Sequence, residues 1–327
     1  MRNDRSHNAF SFTNLCRLAL TTSAVMFKET SAARPAQHRP SDLFSASVYR
    51  ESIGHLVVHR PGDTHYCLVD QHMPADRKVA EASTQNHERY AERHGYLYYS
   101  FEGRLSGKMF VDPKHRSGDE QAGGGLRWQK FSALAAAAVD SYPDGPLKCG
   151  WLMWIDNDAV FTNPSFALET IVDSFAEKGD SVAKDIILSR DSWMIEHNLI
   201  NSGVFMVKNS PMGRNFLQQV ADLFVVYQDS FYQDQQAFHH HAIGRDTRHL
   251  NSSQMENLGA LVRPDIAVAP PRTMTSLVSF ASVNHLESQW QPCDLIIQLP
   301  KLSTAVRIDN IKEVENPPLA CMFWPSW

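Results

Sequence analysis

Trp151-Leu152-Met153-Trp154-Ile155-Asp156-Asn157-Asp158-Ala159-Val160-Phe161 is the stretch from which the fold is read. Its five unbroken apolar residues predict a strand covered on both faces, as in the mostly parallel sheets of α/β proteins. Two carboxylates one residue apart follow at once, where the chain leaves the carboxyl edge of such a sheet, and ligands of open α/β sheets bind at that edge. In extended backbone Asp156 and Asp158 point the same way. Paired oxygens of this kind suit a hard divalent cation, Mn²⁺ or Mg²⁺, and such an ion neutralises a departing diphosphate. The plainer alternative is a strand end whose acids cap the turn before Thr162-Asn163-Pro164.

Working outward, residues 127–139 read as a helix with Phe131, Leu134, Ala135 and Ala138 on one face, stopped by Ser141-Tyr142-Pro143. Further upstream, Tyr66-Cys67-Leu68-Val69 reads as a buried strand, residues 79–94 as a helix capped by Gly95, and residues 96–101 as an aromatic strand. Residues 103–125, with Gly123-Gly124-Gly125, lack the spacing of a dinucleotide fingerprint and read as a flexible loop. Downstream, residues 185–188, 203–207 and 295–299 are apolar runs between helical or loop stretches. Strands alternating with helices predict an α/β layered fold with a mostly parallel central sheet.

The chain has 327 residues with 31 Lys+Arg against 36 Asp+Glu, 20% charged and 43% hydrophobic. That balance excludes an extended disordered protein and a general basic affinity for nucleic acid. No uncharged apolar stretch reaches the length of a membrane-spanning helix. Residues 18–27, behind Arg2, Arg5 and Arg17, have the length of a signal-peptide apolar region, and residues 31–45 are rich in Pro, Ala and Ser. Residues 1–45 therefore read as a leader or linker, disordered or targeting, and 46–327 as one domain. Cys16, Cys67, Cys149, Cys293 and Cys321 lie far apart, which argues against a zinc cluster and leaves room for a disulfide.

Several blocks, in order, resemble glycosyltransferase family 34, the galactosyl/mannosyl/xylosyl transferases. Arg127-Trp128-Gln129-Lys130-Phe131, then Tyr142-Pro143, then residues 151–164 resemble its helix, turn, strand and DxD block. Asp191 with residues 199–210 is similar to its Asn-x-Gly strand, Gln233-Asp234-Gln235-Gln236-Ala237 to its Asp-Gln-x-Ala helix start, and residues 290–299 to its closing strand. Asn86-His87 and residues 90–96 fit its first helix.

The resemblance implies a GT-A fold, the Rossmann-like nucleotide-diphospho-sugar transferase fold. It implies retaining, Mn²⁺- or Mg²⁺-dependent transfer of a hexose or pentose from a UDP- or GDP-sugar to a glycan acceptor, on the lumenal side of Golgi membranes. Asp156 and Asp158 would bind the metal and Lys130 would help hold the donor. Asn201 and Gly203 would shape the sugar pocket, with Asp191 nearby. Asp234 would orient Gln235, whose amide oxygen would stabilise an oxocarbenium-like state. The family generally completes the metal shell with a His followed by a Gly, where this chain has Gln298 and then Lys301. A Gln oxygen can ligate either ion, but it is neutral and a weaker donor to Mn²⁺ than imidazole.

Other readings compete. Gln298 suggests a sugar-nucleotide-binding protein with weak or lost turnover. The run 152–160 also fits the start of a haloacid-dehalogenase-type phosphatase with Asp156 as nucleophile, although the Lys and late acidic pair of that family have no counterpart. Taken singly, Lys130 reads as a solvated helix charge, Asn201 and Gly203 as turn residues before a strand, and Asp234 as an acid favoured in a helix's first turn. His239-His240-His241, with His249, reads as a solvated helix rather than a metal site. Asn251-Ser252-Ser253 is a glycosylation sequon, and residues 321–327 form an aromatic tail that packs back on the domain.

Overall fold

The computed structural model describes residues 43–44, 56–60, 65–72, 77–103, 105, 127–140, 149–175, 184–194, 198–228, 230, 233–244, 262–277 and 289–299. All of them fall within the unit Arg39–Trp327. In chain order the elements are β1 (Leu56–Arg60), β2 (Tyr66–His72), α1 (Arg77–His94), β3 (Leu97–Glu102), α2 (Gln129–Asp140), β4 (Trp151–Ile155), β5 (Ala159–Phe161) and α3 (Leu168–Phe175). There follow β6 (Ile186–Met194), β7 (Asn198–Lys208), α4 (Pro211–Asp222), α5 (Phe224–Tyr227), α6 (Gln233–Ile243), β8 (Ile266–Ala269), β9 (Ser276–Leu277) and β10 (Ile296–Gln298).

Seven strands form the main sheet in the order β1-β3-β2-β4-β7-β6-β8. β2, β3, β4, β6 and β8 run one way, and β1 and β7 run against them. This is the mostly parallel α/β sheet that the sequence predicts. Alternation along β4 supplies both faces: Leu152 and Trp154 pack with α2, α4 and α6, while Trp151, Met153 and Ile155 pack with α1 and α3. A second sheet, β5-β10-β9, pairs β5 antiparallel and β9 parallel to β10.

Local chemistry sets the boundaries. α1 buries Val79, Ala80, Ser83, Asn86, His87, Tyr90 and Ala91, the three-and-four spacing of one helical face. It ends at Gly95, whose φ of 70° favours glycine, and Tyr96 N–H returns to the Ala91 carbonyl at 2.8 Å. Ser210 caps α4 by accepting the Gly213 N–H at 3.0 Å, with Pro211 in the first turn.

Three expectations need correction. β7 begins at Asn198, well before residue 203, so Asn201 and Gly203 lie inside a strand. Its register with β6 jumps from Leu188↔Phe205 to Ser189↔Asn201, leaving residues 202–204 as a bulge. β1, β5, β8 and β9 are additional strands, too short or too polar for their alternation to be read. The three histidines are not a solvated face: His239 is fully buried in α6.

Cys67 and Cys149 form a disulfide with Cα atoms 5.5 Å apart, tying β2 to the entry of β4, and Cys293 is also disulfide-bonded. Among the described residues no helix is long and apolar enough to cross a membrane. The signal-like run, the 103–125 loop for the most part, the sequon and the aromatic tail lie outside the described residues.

Candidate active site

Strand register assembles the site. β4 places Ile155 opposite Val204 of β7, so the next residue, Asp156, donates its N–H to the Gly203 carbonyl at 2.8 Å. The chain then turns instead of staying extended: Ala159 N–H bonds back to the Asp156 carbonyl at 3.0 Å, and β5 begins. β5 pairs with β10 so that Ala159 faces Gln298, and Leu299 N–H holds the Asp158 carbonyl at 2.7 Å. Asp156, Asp158, Gly203 and Gln298 thus meet at one sheet edge, although they span 142 positions of sequence.

Lys130, from the first turn of α2, lies beneath them and is 4% exposed. Its Nζ donates to the Ser202 carbonyl at 2.8 Å, pairs with Asp234 Oδ2 at 2.8 Å and lies 3.6 Å from Asp156 Oδ1 and 5.4 Å from the Trp154 ring centre. Burial works against its charge, but Asp156 and Asp234 outweigh that and hold it more firmly protonated than usual. Burial pushes Asp156 up to about 6. Lys130 and the Trp154 Nε1–H bond of 2.7 Å pull it down, while Asp158 and Asp234 add to the rise. With the three carboxylates ionised, these four groups carry a formal charge of −2, which matches one divalent cation.

Gly203 is the floor of the site. A Cβ there would collide with Gln298 Nε2 and lie 2.8 Å from Asp156 Oδ2 and 3.0 Å from Asn201 Oδ1, so glycine is what lets these side chains approach so closely. Above it runs a chain of amides. Gly203 N–H donates to Asn201 Oδ1 at 2.7 Å, Asn201 Nδ2 donates to Gln298 Oε1 at 2.9 Å, and Gln298 Nε2 lies 3.5 Å from Asp158 Oδ1. Among the described residues no three His, Cys, Asp or Glu side chains gather as a ligand set. At this edge the side-chain oxygens that could hold a hard cation are those of Asp156 and Asp158.

The remaining candidates are distributed as follows. Asp234 is 2% exposed in the first turn of α6, fixed by Lys130, and the half-buried Gln235 follows it. Asp191 lies in β6, with its side chain outside the described residues. Two histidines escaped the sequence reading as supports of the site. His239 Nε2 accepts the Ile200 N–H at 2.7 Å, beside Asn201. His87 meets Asp70 Oδ2 and the Ala159 carbonyl, each at 2.7 Å, and so anchors the backbone just after Asp158. Burial raises Asp70, but the contacts of His87 and Tyr98 outweigh it and leave the carboxyl below its ordinary value. Asn86, one residue before His87, bonds both the N–H and the carbonyl of Phe161, at 2.7 and 3.0 Å. The signal for Asn86 and His87 was their position as a polar pair on the buried face of α1.

The model of the galactosyl transferase GMA12/MNN10 family matches residues 68–252, more than half of the chain. Gln298 lies beyond that match. An alpha-1,2-galactosyltransferase of Schizosaccharomyces pombe is 27% identical over 196 residues, 49% of this chain and 44% of that protein, so the match spans less than half of the relative's length. Among solved structures, a glycosyltransferase involved in glycosylating the major capsid of PBCV-1 aligns with 76% of this chain and all of its own, at 16% identity and a TM-score of 0.49. The galactosyltransferase LgtC, solved with donor and acceptor sugar analogues, aligns with 78% of this chain and 98% of its own, at 11% identity and a TM-score of 0.42.

Proposed function

The chain belongs to the galactosyl transferase GMA12/MNN10 family, and on that premise we propose that it transfers a hexose, with retention, from a nucleoside-diphosphate sugar to a glycan acceptor. The observation that carries this reading is that strand register brings Asp156 against Gly203 and Asp158 against Gln298 at the end of β4. The galactosyltransferase relative favours a hexose over a pentose and makes UDP-galactose the first donor to try. Family membership sets the phosphatase reading aside.

A Mn²⁺ or Mg²⁺ ion held by Asp156 and Asp158 would offset the charge of the departing diphosphate. The chain's own groups do the rest. Lys130 supports the donor site from below, neutralising part of the charge on Asp156 and Asp234 and fixing both relative to β7. Asn201 and Gly203 shape the sugar pocket, with Asp191 as a further donor contact. Gln235 offers an amide oxygen to the anomeric carbon as positive charge develops there. The bond from that carbon to the diphosphate breaks, the acceptor oxygen bonds on the same face, and the acceptor's proton leaves on a diphosphate oxygen.

The Cys67–Cys149 disulfide supports an oxidising compartment such as the Golgi lumen, since such bonds persist there and are rare in the cytosol. The test is calorimetric titration of UDP and GDP with and without Mn²⁺, followed by transfer from UDP-galactose to galactoside and mannoside acceptors with the anomeric configuration of the product read by NMR. Binding of neither nucleotide under any metal condition would sink the proposal. An inverted product would remove only retention.

A further inference from the structure

The chain of amides over Gly203 has a direction, and a group that cannot reverse sets it. A backbone N–H can only donate, so Gly203 N–H at 2.7 Å fixes Asn201 with Oδ1 toward Gly203 and Nδ2 toward Gln298. Asn201 Nδ2 in turn needs an acceptor, so Gln298 turns Oε1 to it and Nε2 toward Asp158, 3.5 Å from its Oδ1. Asn201 and Gln298 are both 6% exposed, so water is largely excluded from competing for these bonds. Turning Gln298 over would set two amide donors face to face, and turning Asn201 with it would only move that clash to the Gly203 N–H.

We infer that Gln298 is a hydrogen-bond donor to Asp158 and not a metal ligand. A divalent cation is then held by the Asp156 and Asp158 side chains and completed by the diphosphate, and it binds tightly only together with the nucleotide. This rests on the metal-dependent reading above and deepens it. Two protein carboxylates beside phosphate oxygens form a complete set for Mg²⁺ or Mn²⁺, whereas two alone leave the ion mostly hydrated and loosely held.

The experiment measures free Mn²⁺ by electron paramagnetic resonance as the full chain is titrated, without and with saturating UDP. It uses the wild type, Gln298→Leu, Asn201→Asp and the double variant, each first shown to melt cooperatively. Gln298→Met replaces Gln298→Leu if the latter does not fold. Without nucleotide, Gln298→Leu leaves Mn²⁺ affinity within about twofold, and UDP raises wild-type affinity by roughly tenfold or more. In Asn201→Asp the introduced carboxylate accepts from both Gly203 N–H and Gln298 Nε2. Oε1 then turns to the cation, and affinity rises on the order of tenfold.

Leucine at 298 in that background removes most of the gain, which separates the turned amide from the added charge. A roughly tenfold loss in Gln298→Leu alone, or a gain in Asn201→Asp that survives the second change, overturns the inference and leaves the transferase reading intact. Mn²⁺ binding in no variant, with or without UDP, overturns the metal-dependent reading and this inference together.

Discussion

Lys130→Met replaces the buried cation of the site by an apolar chain of similar length. Lys130 holds Asp234 Oδ2 at 2.8 Å and the Ser202 carbonyl at 2.8 Å, and it lies 3.6 Å from Asp156 Oδ1. The Asp234 side chain is 2% exposed and that of Asp156 is 32% exposed, so the first carries most of the penalty. Removing one member of a buried pair costs about 3–5 kcal/mol, because the other charge is left uncompensated. The lost bond to the Ser202 carbonyl adds about 1 kcal/mol. A total of about 4–6 kcal/mol is a large share of the roughly 5–15 kcal/mol that holds a domain folded.

The loss depends on pH with a definite sign. Burial already raises Asp156 to about 6, against the pull of Lys130, so removing that pull raises it further. A carboxyl raised on folding binds its proton more tightly in the native state, so the deficit is relieved at low pH and grows as pH rises through 6 toward 8. Urea unfolding at pH 5.5 and 8.0 measures this. We expect the larger deficit at pH 8.0, and partial rescue by Asp234→Asn in the Lys130→Met background. A deficit below about 1 kcal/mol at pH 8.0, or one that is the same at both pH values, would refute the claim that Lys130 is the internal counter-charge of this site.

Three further outcomes are expected. Gly203→Ala pushes the Gln298 amide and the Asp156 carboxylate aside; calorimetry should find UDP–Mn²⁺ binding weakened ~10–100-fold with the melt still cooperative, and unchanged affinity would contradict the close approach at this position. Cys149→Ala opens a link between positions 82 residues apart and should cost about 3–4 kcal/mol in urea unfolding under oxidising conditions, with a loss under ~1 kcal/mol arguing that the bond does not constrain the unfolded chain. Burial, together with the Arg263 guanidinium donating to its Nε2 at 2.8 Å, pushes His241 down to about 4 from 6.5. The unfolded chain then takes up the proton first, so this contribution is whole above pH 6.5 and is lost as pH falls toward 4. His241→Gln should flatten that part of the stability profile; an unchanged acid slope would remove His241 from it.

Much of the fold was legible because local pattern and burial agree. The apolar run 151–155, the one-sided helix 127–139 and the glycine after the first helix each state their own geometry, and the structure keeps all three within two residues. The site was legible as residue types and only partly as roles. Lys130 on a helix reads as a solvated charge, yet its partners Ser202 and Asp234 are reached only once β7 and α6 are packed. His239 carries no pattern of its own, and the buried pair Asn86-His87 names no partner, since what matters is the backbone group each histidine meets, Ile200 and Ala159.

The amino-acid sequence alone determined the α/β class, the strand that ends in Asp156 and the order of blocks that marks the family, because periodicity, turn residues and short motifs act over a few positions. Only the tertiary structure decided that Asn201 and Gln298, 97 positions apart, share a hydrogen bond whose direction is set by Gly203 N–H. A side-chain amide can face either way until strand register brings it a partner. In this protein that register, and no local preference, turns the Gln298 nitrogen toward Asp158.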